Sequence, residues 1–111
     1  LGRLLANPDI YLVVAELSGH PVGFVLGYRL ERLAGPAQLF VYEVDVRPAY
    51  RGQGVGTRLL AFVREVVQLE RLREAFVFTS RDNLAAVGLY RATGAVAEEE
   101  TGVCFVYPGT S

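Results

Sequence analysis

The chain has no methionine, a single cysteine, a single histidine and no excess of either charge. Each scarcity removes a class of function. Cys104 makes no internal disulfide, and with His20 as the lone histidine no metal-ligand cluster can be assembled, so no metal is expected. The 11 basic residues are offset by 12 acidic ones with no basic block, which argues against a nucleic-acid footprint. The longest apolar runs, such as Tyr11 to Ala15, are far too short to span a bilayer, so no membrane partner is expected. No signal-peptide pattern appears, and a reduced, cytoplasmic setting is the inference. Without a methionine Leu1 does not read as a translation start, and further sequence is expected in front of it.

What is present suffices for one small domain: 111 residues, half of them hydrophobic. Ile10 to Leu17 is apolar and β-rich, Ser18-Gly19-His20-Pro21 is a turn signal, and Val22 to Leu30 resumes strand character, so a hairpin is expected with His20 as an exposed turn residue. Gly23 and Gly27 in the second strand suggest a bulge or the close approach of a ligand. Ala34-Gly35-Pro36-Ala37 turns the chain again, and Leu39 to Val46 returns as a third antiparallel strand. A helix from about Gly54 to Leu69 follows, with Leu59, Leu60, Val63, Val66 and Val67 at helical spacing. Ala75 to Thr79 reads as a buried strand. Asp82 or Asn83 caps a helix ended by Gly94, and Ala95 to Ala97 with Val103 to Tyr107 are expected to close the sheet as a final pair. Strand, helix and strand in succession imply a parallel pairing reached by a crossover.

The densest pattern is the stretch from Val44 to Leu60, which reads as strand, glycine-studded turn and helix. Glycines at 52, 54 and 56 remove Cβ atoms where the first unpaired helix N–H groups point outward, so a phosphate can approach the backbone and meet the positive end of the dipole. Arg51 and Arg58 add charge beside that opening. A tight strand-to-helix turn with no ligand is the plainer reading of the same residues. A P-loop requires a lysine after the last glycine, and none follows Gly56; a dinucleotide fingerprint counted from Gly52 and Gly54 requires glycine where Thr57 stands. The spacing Arg/Gln-x-x-Gly-x-Gly is met by Arg51-Gly52-Gln53-Gly54-Val55-Gly56. On these residues the chain resembles the GNAT family of acetyl-CoA-dependent N-acetyltransferases. The approach Asp45-x-x-Pro48-x-Tyr50-Arg51-Gly52 and the later Asn83 to Tyr90 helix resemble that family in the same order.

The resemblance implies an α/β (α+β) GNAT fold: a mixed sheet with an antiparallel N-terminal meander and a splayed parallel pair, with helices on both faces. Residues 1–111 would form one such domain lacking its N-terminal strand and helices, Leu1 to Ala6 being the tail of one of them. It further implies that acetyl-CoA enters the cleft with its pantetheine arm along Val44 to Val46 and its pyrophosphate on Arg51, Gly52, Gln53, Gly54, Val55, Gly56 and Thr57. Open parallel sheets generally bind ligands where neighbouring connections diverge, which agrees.

Acetyl transfer to an amine needs a neutral amine, a polarised thioester carbonyl and a proton for the departing thiolate. The Val46 N–H would polarise the carbonyl if the strand carries a bulge, as family members do. Tyr90 lies seven residues after Asn83, on one helix face, with the small Ala86 between them. In the family a tyrosine at this place protonates the thiolate and the asparagine bonds the pantetheine arm; a capping asparagine and a core tyrosine are the structural alternatives. Glu43 and Asp45 share a strand face and are candidates for substrate binding, with Glu43 as the base, its pKa raised if the cleft is partly desolvated. Both also read as solvated strand carboxylates. Leu39 to Val46 with Tyr50-Arg51 is most similar to the aminoglycoside N-acetyltransferases acting on the 3-amino group, which carry an acid at the position of Glu43. Their final strand also supplies acids, whereas this chain has Phe105 and Tyr107 there. The implied acceptor is a small polyamine-like amine steered by Glu43 and Asp45, with Glu98, Glu99 and Glu100 as an outer attraction or a solvated turn. A protein N-terminus or another small amine as acceptor, and a non-catalytic acyl-CoA-binding domain, stand as alternatives, and a homodimer is compatible with the reading.

Overall fold

The computed structural model describes residues 7–98 and 103–109. The expectations for Leu1 to Ala6 and for Glu99 and Glu100 lie outside these residues. Four strands form one sheet in the order β1 (Ile10–Leu17), β2 (His20–Leu30), β3 (Gln38–Val46) and β4 (Ala75–Val77). The first three are antiparallel and β4 runs parallel to β3. A 3₁₀ turn (Pro48–Tyr50) and helix α1 (Val55–Leu69) connect β3 to β4, and α2 (Leu84–Ala92) follows.

The β1–β2 hairpin is tighter than its turn signal suggests. Ser18 and Gly19 both have positive φ, 53° and 80°. That pair of left-handed residues makes a two-residue turn whose twist matches the flanking strands. His20 consequently starts β2, paired with Leu17 and exposed. Along β1 the alternation is regular: Tyr11, Val13 and Ala15 are buried under α1, while Leu12 and Val14 point to the other face.

Strand β3 holds a bulge. Leu26 pairs with Glu43 while Gly27 pairs with Val41, so Tyr42 is an extra residue opposite β2. The bulge shifts the phase of the pleat. Leu39 and Val41 face the core before it, whereas Val44 and Val46 pack against the core after it. This phase slip is visible in the apolar spacing of the sequence, 39 and 41 and then 44 and 46.

Helix α1 lays Leu59, Leu60, Val63 and Val66 onto the sheet as its apolar spacing requires. Leu59 has no exposed surface, and burying such a side chain contributes about 1.5–3 kcal/mol. Gly23 makes the approach possible: a Cβ there would lie 2.9 Å from the Asp45 carbonyl oxygen and 3.1 Å from Val55 Cγ1. The close approach inferred for Gly23 is therefore that of a helix rather than a ligand.

Three expected strands differ, and the one expected to be buried, β4, is only partly so. β4 ends at Val77, and Phe78 is exposed. Residues 95–98 and 103–109 pair into no strand, and Val96, Val103, Phe105, Val106 and Tyr107 are exposed. Strand character becomes a strand only when it pairs, and although β4 is an outer strand of the sheet these segments do not pair with it. The face of the sheet opposite α1 carries an aromatic cluster in which Phe40 stacks on Phe76 at 5.1 Å and Tyr28, Tyr42 and Phe78 add edge contacts.

Candidate active site

The parallel pair β3–β4 lasts only three residue pairs, Leu39 with Ala75, Phe40 with Phe76 and Val41 with Val77. Beyond Val41 the strands part, and Tyr42 to Val46 run on along the edge of a gap. The direction of the main chain there follows from one hydrogen bond. The Arg47 N–H donates to the Val22 carbonyl (2.8 Å), so the other end of that peptide, the Val46 carbonyl, points away from β2. In an extended chain the N–H and C=O of one residue point to the same side and successive residues alternate. Val44 and Val46 therefore turn their main-chain groups into the gap, as a pairing extended ligand would require.

At the end of β3 the chain makes the glycine turn. Gly52 and Gly54 have φ of 77° and 84°, and a Cβ on either would meet nothing within 4 Å. The space above them is open. Gly54 is the N-cap of α1, contributes no side-chain cap, and no acidic residue sits in the first turn. The amide groups of Val55, Gly56 and Thr57 thus stand at the positive end of a 15-residue helix, with Gln53 and Arg58 exposed beside them. Gln53 reaches back to the Ala49 carbonyl (3.3 Å) and holds the turn.

Gly56 serves a different purpose from its neighbours. A Cβ there would lie 3.0 Å from Leu89 Cδ2, so glycine at this position seats α2 against the first turn of α1. Arg51 also departs from a simple cradle residue. Its Nε donates to the Val46 carbonyl (3.0 Å) and its Nη2 lies 3.7 Å from Asp45 Oδ1, so the side chain folds back onto the end of β3. Asp45 is consequently paired, and the carboxylate beside the bulge with no ion pair among the described residues is Glu43. Glu43 and Asp45 do share the face opposite α1, as their cross-strand partners Leu26 and Phe24 do. Both are exposed, and the desolvated setting expected for them is absent because the gap lies open to solvent. Asp45 and Arg47 close one end of a shallow groove of about 410 Å³ floored by Leu12, Val14 and Phe24.

Helix α2 carries the remaining candidates. Asn83 is its N-cap, the Oδ1 accepting from the Ala86 N–H (3.1 Å), which orients the side chain at the helix start. Tyr90 lies two turns further on and is half-buried. A phenol is protonated at neutral pH at its ordinary pKa, and burial pushes that of Tyr90 higher still, so the hydroxyl carries a proton it can donate. The helix ends in a Schellman motif: the Ala95 N–H donates to the Tyr90 carbonyl (3.0 Å) and the Gly94 N–H to Arg91 (3.2 Å), with Gly94 at φ 97°. Sequence reasoning missed Leu89 and Gly23 as seats of the two helices, since neither contact is local. Among the described residues no cluster of His, Cys, Asp or Glu could hold a metal, and no helix is long and apolar enough to cross a membrane.

Residues 2–95 match the model of the acetyltransferase (GNAT) family. The chain belongs to this family. It is 38% identical over 92 residues to the N-alpha-acetyltransferase RimI of Mycobacterium tuberculosis, covering 83% of this chain and 56% of that protein. It is also 38% identical over 80 residues to the L-2,4-diaminobutyric acid acetyltransferase of Nocardia farcinica, covering 72% of this chain and 40% of that one. The GNAT chain described here thus spans about half the length of the curated relatives it matches. Among solved structures, an aminoglycoside acetyltransferase from an uncultured soil metagenomic sample, in complex with sisomicin, superimposes with a TM-score of 0.86 at 27% identity, covering 96% of this chain and 70% of that one. An aminoglycoside N-acetyltransferase in complex with CoA shares the fold, with a TM-score of 0.71 at 23% identity, covering 93% of this chain and 78% of that one.

Proposed function

We propose that this GNAT domain belongs to an acetyl-CoA-dependent N-acetyltransferase that modifies a primary amine of a small cationic acceptor. The observation that carries the reading is one of juxtaposition. The open glycine turn at the start of α1 adjoins the helix bearing Asn83 and Tyr90 through the Gly56–Leu89 contact, and it follows directly on the end of β3, where Val44 and Val46 lie beyond the pairing with β4 and the Val46 carbonyl accepts from Arg51 Nε. The space above Gly52 and Gly54 fits a pyrophosphate, and the edge of β3 fits an amide-bearing arm.

When bound, acetyl-CoA supplies the activated acyl group. The backbone from Arg51 to Thr57 holds the phosphates, Val44 and Val46 align the arm, and Ala86 and Asn83 border it. The Tyr90 hydroxyl, protonated at neutral pH, donates the proton that the departing sulfur needs. Glu43 takes the proton of the acceptor ammonium, or holds its charge, while Asp45 on the same face lies 3.7 Å from Arg51.

The aminoglycoside reading, with the 3-amino group as the target, is the finer part of this proposal. It is supported by the similarity to a structure solved with sisomicin, and by Glu43 in the Leu39 to Val46 stretch. Incubation with acetyl-CoA and a panel of sisomicin, L-2,4-diaminobutyrate, thialysine and an N-terminal peptide, read by mass spectrometry, tests it. Acetylated sisomicin with the acetyl group on the 3-amino nitrogen supports the finer reading; acetylation of another amine retains the enzyme and discards the drug. Calorimetric binding of acetyl-CoA with no product from any acceptor would leave a non-catalytic binding domain.

A further inference from the structure

Helix α2 is held unusually lightly for an element bearing two candidate site residues. None of its nine residues is buried, and Leu84 is 77% exposed. Contacts with α1 at its middle and at its end tie it down. At its middle, Leu89 rests on Gly56. At its end, Arg64 Nη1 donates to the Thr93 carbonyl (3.0 Å). The two anchor points on α1 are eight residues apart, roughly 12 Å along the helix axis. Those on α2, Leu89 and Thr93, are four apart and share one face. Tyr90 stands between them.

Arg64 answers a need that α2 cannot meet itself. The last carbonyls of a helix lack intrahelical donors and carry partial negative charge. The Tyr90 carbonyl is served by the Ala95 N–H and by Thr93 Oγ1, and that of Arg91 by Gly94, whereas Thr93 receives its donor from the neighbouring helix. Gly94 makes room: a Cβ there would lie 3.3 Å from Arg64 Nη1. We infer that Arg64 is a positioning residue which fixes α2 on α1 and, through α2, sets the reach of the Tyr90 hydroxyl. The inference rests on the assignment of Tyr90 as the proton donor. It also explains a cation at a helix–helix junction remote from the glycine turn. A displacement of about 1 Å at a reacting group can cost on the order of 100-fold, so a light tether is enough to matter.

The test compares Arg64→Ala, Arg64→Lys, Tyr90→Phe and the double variant Arg64→Ala/Tyr90→Phe. Thiol release from acetyl-CoA is followed with sisomicin, L-2,4-diaminobutyrate and thialysine as acceptors, acetyl-CoA affinity by calorimetry, and amide exchange along α2 without ligand. Arg64→Ala should lower kcat about tenfold or more while acetyl-CoA affinity stays within about threefold, speed exchange in α2 but not in α1, and be largely rescued by lysine. In the Tyr90→Phe background the same change should cost less than about twofold. An unchanged kcat and unchanged α2 exchange in Arg64→Ala overturn the inference. So does an equal loss in both backgrounds, because the effect would then not pass through Tyr90. If Tyr90→Phe alone turns over like the parent, the proton-donor assignment fails on its own result, and the exchange of α2 amides still decides whether Arg64 holds the helix.

Discussion

The two helices of this domain make opposite bargains with the sheet. α1 buries Leu59, Leu60, Val63 and Val66 and touches all four strands, whereas α2 has no buried residue and meets α1 at Gly56 and Arg64. The first is a structural wall whose N-terminus happens to be open; the second is a carrier for Asn83 and Tyr90. On the proposed function, stability and chemistry fall to different elements, and substitutions should separate them. Rigid scaffold positions a loosely held group cheaply, since local opening at α2 need not involve the core.

The largest effect should come from Leu59→Ala. A fully buried leucine cut to alanine costs about 2–5 kcal/mol, a large fraction of the stability of a small domain, so thermal melting should show a much lower Tm or no folded state. Leu89→Ala, the matched change on the half-buried seat of α2, should leave Tm nearly untouched and lower kcat instead. Comparable losses of Tm in the two variants would erase the distinction between the helices.

Next in size is Tyr90→Phe, expected to lower kcat by about 10²–10⁴-fold, the usual worth of a general acid, with acetyl-CoA affinity little changed. The pH dependence has a definite sign. Burial raises the phenol above its unfolded value of about 10. Its contribution to stability is therefore fully present below pH 10 and is lost as pH rises through the folded value. A spectrophotometric titration in which the parent and Tyr90→Phe lose stability identically above pH 10 would mean that the hydroxyl is not held as described.

How much of this division was legible beforehand depends on the range of each contact. The apolar stripe of α1 and the terminating Gly94 are local patterns legible from residues within a turn or two, and the cap of α2, open between Asp82 and Asn83 in the sequence, falls to Asn83. From the sequence a bulge in β3 is only a condition, and the structure supplies it at Tyr42 as a register shift that matches the change of apolar phase between Val41 and Val44. The β1–β2 turn was read one pair too wide because Pro21 looked like turn punctuation while pairing opposite Glu16. Gly56 looked like a third cradle glycine because nothing nearby announces Leu89, 33 positions later. Strand character at Ala95 to Ala97 and Val103 to Tyr107 was real as propensity, yet pairing is a long-range event that local residues do not decide, and neither segment pairs with the outer strand β4.

Gly54→Asp tests the open end of α1 with an effect confined to binding. It places a carboxylate where the helix offers unpaired N–H groups, and it forces a side chain onto φ 84°. Aspartate tolerates that region better than most residues, so the fold should lose only about 1 kcal/mol. Acetyl-CoA affinity measured by calorimetry should fall at least about tenfold. Retained affinity in a folded variant would move the phosphate seat away from the glycine turn.

The smallest expected effect is at Asp45, and it sharpens the comparison within β3 itself. Asp45 and Glu43 occupy the same face two residues apart, but Asp45 faces Arg51 at 3.7 Å across the glycine turn, and the side chains of that pair are 61% and 62% exposed. An ion pair so open to water is worth between nothing and about 1 kcal/mol, and salt weakens it further. Asp45→Asn should therefore shift Tm by no more than a few degrees and leave kcat within about twofold. The Val46 carbonyl keeps its bond to Arg51 Nε, so the end of β3 remains in place. Glu43→Gln removes the carboxylate proposed to receive the acceptor proton, and it should raise the acceptor KM and lower kcat together. Measured side by side against sisomicin and L-2,4-diaminobutyrate, the two neutral variants thus differ most where the two carboxylates look most alike. If Asp45→Asn were the slower enzyme at every pH, Arg51 would be holding the base ready rather than consuming it, and the proton-accepting role would pass to Asp45.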